Sequence, residues 1–191
     1  MERLAPAGVR VRLARSVERA ALLEIERRSS HRFADVPGLA GWVDDVTPIE
    51  IVDVAFAEGL VWVAEVVDEA QLVGWCYASI IDDSLFIEQI DVLPEHGRRG
   101  IGRALLDEVE REARLRGLAA LELTTDTHVA WNRPWYEKIG FRVVTPSEQG
   151  AGLASAVADE ERRGFDLSRR VAMRREIGSP RRHLDGSPRG Q

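Results

Sequence analysis

Between Arg98 and Arg103 the chain reads Arg-Arg-Gly-Ile-Gly-Arg, and nowhere else are its residues better spaced for chemistry. An apolar strand stops at Pro94, and a helix is expected from about Gly100. The six residues Arg98, Arg99, Gly100, Ile101, Gly102 and Arg103 can then aim unpaired main-chain N–H groups at one point. The first turn of a helix has no internal acceptors for them. The positive end of the helix dipole and the guanidinium groups of Arg98, Arg99 and Arg103 strengthen the same field. Such a point selects a phosphate.

Two familiar phosphate loops fail the comparison. A Walker loop requires Gly-Lys-Ser/Thr, which does not occur. Gly100-Ile-Gly102 could open a dinucleotide fingerprint, but Leu105 stands where a third small residue should let helix and strand approach. That disfavours a nicotinamide-dependent reductase. The plainest alternative is a glycine turn at Gly97, Gly100 and Gly102 with solvated arginines. Elsewhere, His31, His96, His128 and His183 lack metal-ligand spacing, so no metal is expected. The single Cys76 lies in an apolar run and reads as core, and with one cysteine there is no disulfide framework.

The surrounding pattern supplies the elements that hold the loop. Val9 to Leu13 alternates as a strand, and Ser16 is expected to cap a helix whose face carries Val17, Ala21, Leu22 and Ile25. Residues 29–59 are less regular, with a second helix over Ile49 to Phe56 stopped by Gly59. Leu60 to Val67, Gln71 to Ile81 and Leu85 to Val92 are joined by short turns and must form an antiparallel meander. Ile101, Leu105, Val109 and Ala113 stripe a helix that ends at Gly117, and Leu118 to Thr125 is the next strand. A strand, helix and strand in that order make a βαβ crossover, so the fourth and fifth strands should be parallel. A short helix from Asn132 to Gly140, a strand over Phe141 to Val144, a helix over 154–163 and a strand over Arg170 to Arg174 complete the order. From Gly178 the chain is polar and reads as a disordered tail, giving one domain over 1–177 and a tail over 178–191.

Bulk composition narrows the partners. A net charge of −6 argues against general nucleic-acid binding and favours the approach of cations. No apolar run reaches the length of a membrane helix or signal-peptide core, so no membrane partner and a cytoplasmic location are expected.

With this order of elements, two motifs resemble those of the GCN5-related N-acetyltransferases. Asp91-Val-Leu-Pro-Glu-His-Gly-Arg-Arg-Gly-Ile-Gly102 is similar to that family's acetyl-CoA loop, and Trp135-Tyr-Glu-Lys-Ile-Gly-Phe141 to its tyrosine–glycine–phenylalanine signature. The resemblance covers residues 9 to about 177. Two departures stand out: the loop position that usually holds Gln or Arg is Gly97, and the asparagine often found before the tyrosine is Val129.

The resemblance implies an α/β fold with a mixed, mostly antiparallel sheet of about seven strands, a splayed parallel central pair and helices on both faces. It implies acetyl-CoA as acyl donor, with the backbone of Ile90, Asp91 and Val92 pairing with the pantetheine arm and residues 98–103 holding the pyrophosphate. Asn132 either contacts the coenzyme or only caps its helix. Tyr136 is the implied general acid, with aromatic packing as its structural alternative. Glu88, expected on the same strand face as Ile90, is the candidate base, with Glu122 as competitor. An amine-bearing small molecule, peptide or protein is the expected acceptor, placed between residues 29–50 and 125–131 near Phe33, Trp42, Asp44 and Asp45. Direct transfer in a ternary complex is expected; a non-catalytic acyl-CoA sensor is the alternative, and a homodimer is left open.

Overall fold

The computed structural model describes residues 6–178. Apart from Gly178, the expected tail lies outside the described residues. Strands β1 (Val9–Leu13), β2 (Val61–Val66), β3 (Gln71–Ile81) and β4 (Ser84–Val92) are successive antiparallel neighbours. The two-residue connection Asp82–Asp83 requires that sense, and Asp82 takes a left-handed φ of 46° to close it. Helix α3 (Ile101–Leu115) then carries the chain across to β5 (Ala120–Asp126), which lies parallel to β4. The last strand β7 (Arg170–Glu176) inserts antiparallel between β5 and β6 (Arg142–Val144). The result is one seven-stranded sheet in the order β1-β2-β3-β4-β5-β7-β6, the mixed architecture that the pattern of elements implied.

Pairing parity assigns the two sheet faces. Gly74 lies opposite Val92, and a Cβ placed on Gly74 would meet Ile101 Cγ2 at 3.5 Å, so that face belongs to α3. Ile101, Leu105, Val109 and Ala113 are buried there, while the outer side of α3 carries the spaced ion pairs Arg103–Asp107 and Arg116–Glu112. Trp75 and Asp91 face the other way, towards α1 (Arg19–Ser30), and Arg32, in the 3-10 turn that follows α1, approaches Asp91. Helix α2 (Ile49–Glu58) follows α1 and ends at Gly59, with φ 70°. Two short helices remain, α4 (Asn132–Lys138) and α5 (Ala151–Arg162). Leu22, Trp62, Trp75, Leu105, Leu121 and Met173 are fully enclosed in the core, each contributing on the order of 2 kcal/mol through burial.

The expected start of α1 is corrected. Ser16 opens a short 3-10 turn instead of capping the helix, and Val17, expected on the buried face, is 84% exposed. The cause is Glu18, which is buried and accepts from the Arg15 main chain at 2.7 Å and from Arg12 Nη2 at 2.7 Å. That network turns Glu18 inward and rotates Val17 to solvent. Among the described residues no helix is long and apolar enough to cross a membrane.

Candidate active site

The parallel ladder between β4 and β5 is short. Ser84, Leu85 and Phe86 pair with Ala120, Leu121 and Glu122, and no further pair forms. Beyond that point each strand keeps its outer neighbour, β4 with β3 as far as Val92 and β5 with β7 as far as Asp126. The inner edges, Ile87–Val92 and Leu123–Asp126, face a gap. Its local cause is a bulge: Ala78 lies opposite Ile87 and Tyr77 opposite Gln89, which leaves Glu88 as an extra residue on β4. An inserted residue bends its strand and increases the twist, so β4 turns away from β5 where Glu88 occurs. Ile90, Asp91 and Val92 all lie on the part of β4 that no second strand covers.

The bulge also changes the face of Glu88. A regular strand would put it beside Ile90. Instead its Oε1 accepts from Ser79 Oγ at 2.7 Å, on the face shared by Tyr77. The carboxyl group is reached by solvent yet crowded by the cleft walls, and that desolvation raises its pKa above the ordinary glutamate range. Glu122 has a different setting. It lies in the zipped part of the ladder, 2% exposed, and its Oε1 accepts from Arg174 Nη1 at 2.9 Å. Its surroundings are those of an internal ion pair.

At the far end of the gap lies the glycine turn that the sequence singled out for a phosphate. Gly97 N donates to Pro94 O at 3.1 Å, and Ala104 N to Gly100 O at 3.0 Å. Between them, among the described residues, no main-chain N–H from Arg98 to Arg103 donates to a backbone carbonyl. Gly100, with φ 87°, ends the turn and starts α3. Arg98 also takes a left-handed φ of 58°, a conformation better suited to glycine. Arg99 Nη1 lies 3.2 Å from His96 Nδ1 and Arg103 Nε donates to Asp107 at 2.7 Å, whereas the Arg98 side chain has no bonded partner among the described residues.

A cavity of about 790 Å³ fills the gap and runs beneath the segment between α1 and α2. Tyr136 and Asn132 of α4 line it. Tyr136 packs against Trp135 and Phe141 with centroids 4.9 and 5.7 Å away, and burial pushes its phenol pKa up, which keeps it protonated. Aromatic packing and a cavity-facing position therefore coexist in this residue. Asn132 is not the cap: Trp131 holds the N-cap position, and Asn132 makes no capping hydrogen bond. Phe33, Trp42 and Asp45 line the cavity, but Asp44 turns outward to Arg27 and His31. Cys76 is fully buried in the core.

Sequence reasoning missed the far wall of the cavity, made by Glu160, Arg163, Phe165 and Arg170. Phe165 stacks on Trp42 at 4.3 Å and 8°, and Trp131 on Phe33 at 6.1 Å and 7°, so two aromatic pairs bridge the rim. Glu26 was missed as well, whereas Tyr77, expected from its strand as core and cleft wall, does line the cavity. Glu26 did carry a signal, being an acid at a position that the stripe Leu22–Ile25 assigns to the core.

Comparison with known proteins agrees with this geometry. Residues 21–141 match the model of the acetyltransferase (GNAT) family. Among solved structures, the fold is similar to the PaiA N-acetyltransferase from Thermoplasma acidophilum in complex with coenzyme A. There the identity is 17% over 88% of this chain and 98% of that one, with a TM-score of 0.64. An acetyltransferase from Streptococcus agalactiae matches at 16% identity over 90% and 99%, TM-score 0.65. A phosphinothricin acetyltransferase from Sinorhizobium meliloti, in complex with AcCoA, matches at 20% over 90% and 89%, TM-score 0.62.

Proposed function

The chain therefore belongs to the GNAT acetyltransferase family, and from that premise we propose that it is an acetyl-CoA-dependent N-acetyltransferase acting on a primary amine. The observation that carries the proposal is the half-open parallel pair with, at its end, a turn whose main-chain N–H groups find no backbone acceptor among the described residues. The residues present fit the coenzyme: the main-chain N–H groups of Arg98 to Arg103 suit a diphosphate, and the free edge at Ile90, Asp91 and Val92 suits an amide-bearing arm. Asn132 lines the cavity beside that arm. No group of three or more metal-ligating side chains occurs among the described residues.

Acetyl-CoA bound there supplies an acyl carbon to which the amine nitrogen bonds as the carbon–sulfur bond breaks. The chain's own residues handle position and protons. The free edge of β4 fixes the arm so that the reacting groups meet without a search, an effect of several kcal/mol in general. An alkylammonium has a pKa near ~10 and must lose a proton before it attacks. Glu88, at the bulge and reached by solvent, accepts that proton. Tyr136, protonated and cavity-facing, donates one to the departing sulfur.

The test is to incubate the protein with acetyl-CoA and a broad amine panel while following free thiol. Thiol release that requires an amine is the expected result. Tight coenzyme binding without turnover across the panel would instead identify an acyl-CoA sensor.

A further inference from the structure

One wall of the cavity carries acid that this chemistry does not use. Glu26 is 6% exposed on the inner face of α1, and its Oε1 accepts from Thr47 N at 3.1 Å and Thr47 Oγ1 at 2.9 Å. Its Oε2 is shut off from bulk water and has no hydrogen-bond partner among the described residues. Asp91, 4% exposed, faces it from β4, close enough to raise its pKa further. Asp91 accepts from Gln89 Nε2 at 2.7 Å, and the nearest cation, Arg32 Nη2, is 4.0 Å away. Arg32 is itself held by the carbonyls of Ser29 and Val92 at 3.0 Å each. Burial pushes Glu26 up to about 7 and Asp91 to about 6.

Two enclosed carboxylates served only by Arg32, at 4.0 Å from Asp91 and already bound to two carbonyls, are costly unless a further cation arrives. Others on the wall are already neutralised: Asp159 pairs with Arg162 and Glu160 with Arg170. Tyr77 lines the same cavity, and burial first, then the negative charge of Glu88 and Glu26, raises its phenol pKa. Asp45, also on the cavity, adds to the negative field at Glu26.

We propose that Glu26 and Asp91 form a second cation subsite, and that the acceptor is a compact aliphatic diamine or polyamine. One nitrogen is acylated beside Glu88 while the second, still an ammonium, rests between Glu26 Oε2 and Asp91. The acylation half of this statement rests on the amine-acetyltransferase reading; the binding half rests on the cavity wall alone.

Titration calorimetry on the full chain with coenzyme A present tests it, with 1,4-diaminobutane and 1-aminobutane as probes. The diamine should bind at least about tenfold more tightly, and Glu26→Gln should shrink that ratio to about twofold. With the unmodified protein near pH 6 the diamine should also release a proton, read as a dependence of the heat on the buffer. That measurement needs no variant and stands if Glu26→Gln misfolds. Equal affinities for the two amines, or a preference untouched by Glu26→Gln in a folded protein, would overturn the subsite. If the diamine binds through Glu26 but no amine releases thiol, the transferase reading fails and the subsite stands. If both amines release thiol with equal kcat/KM and bind alike, the subsite fails and the transferase reading stands.

Discussion

The two halves of the β4–β5 pair have the same strands, similar sequence character and opposite fates. In the lower half, Ser84–Phe86 and Ala120–Glu122 are zipped, and the acid on that stretch, Glu122, is enclosed with Arg174. In the upper half the strands part after one inserted residue, and the acid there, Glu88, is hydrogen-bonded to Ser79 and open to solvent. A carboxylate that already has its cation gives stability and little chemistry. One that lacks a cation, at a free strand edge, is available to take a proton. The difference comes from backbone register and not from residue type.

That contrast can be broken in several places. The largest effect should come from the zipped half, where Glu122→Gln leaves Arg174 facing a neutral partner. Urea unfolding should show a loss of about 3 kcal/mol, with the KM for acetyl-CoA unchanged; a normal stability and a raised KM would reverse the assignment of the two halves. Next, Tyr136→Phe should lower kcat on the order of 10²-fold, with an unaltered melting curve. An unchanged kcat with every substrate accepted would remove the phenol from the mechanism.

In the open half, Glu88→Gln should lower kcat/KM about tenfold or more. Activity through Glu88 requires its deprotonated form, and desolvation by the cleft walls places its pKa above the ordinary glutamate range. The acid limb of the pH–rate profile should therefore lie above that range and disappear in the variant. A limb that persists would transfer the base role elsewhere. The smallest effect belongs to the loop: Arg98→Gly relieves a left-handed φ and should stabilise the protein by about 1 kcal/mol. Coenzyme A affinity should fall less than about fivefold if main-chain donors hold the diphosphate; a much larger loss would move that role to the guanidinium group.

Much of this fold was legible from local pattern. The meander follows from strand-forming runs divided by turns too short for a crossover, and the parallel pair follows from the helix inserted between β4 and β5. The loop at Gly100 was visible because a helix start leaves donors free whatever packs around it. Local pattern failed where a distant contact changed the outcome. Val17 has the spacing of a core residue, but the Arg12–Glu18–Arg15 network overrides it. Asn132 has the chemistry of a cap, yet the helix begins one residue too early for it to act as one. The face of Glu88 was misassigned because a bulge depends on the partner strand.

Periodicity and turn chemistry are properties of neighbouring residues, and they were enough to specify the order of elements, the glycine turn that opens α3 and the cavity-facing tyrosine's helix. The shape of the cavity came from elsewhere. Its far wall lies on residues 156–170, its inner acid on α1, and its rim on the stacks Trp42–Phe165 and Phe33–Trp131. These segments meet only after the sheet has formed. Whether a carboxylate has a cation depends on which side chains packing brings within a few ångströms, and no linear spacing encodes that.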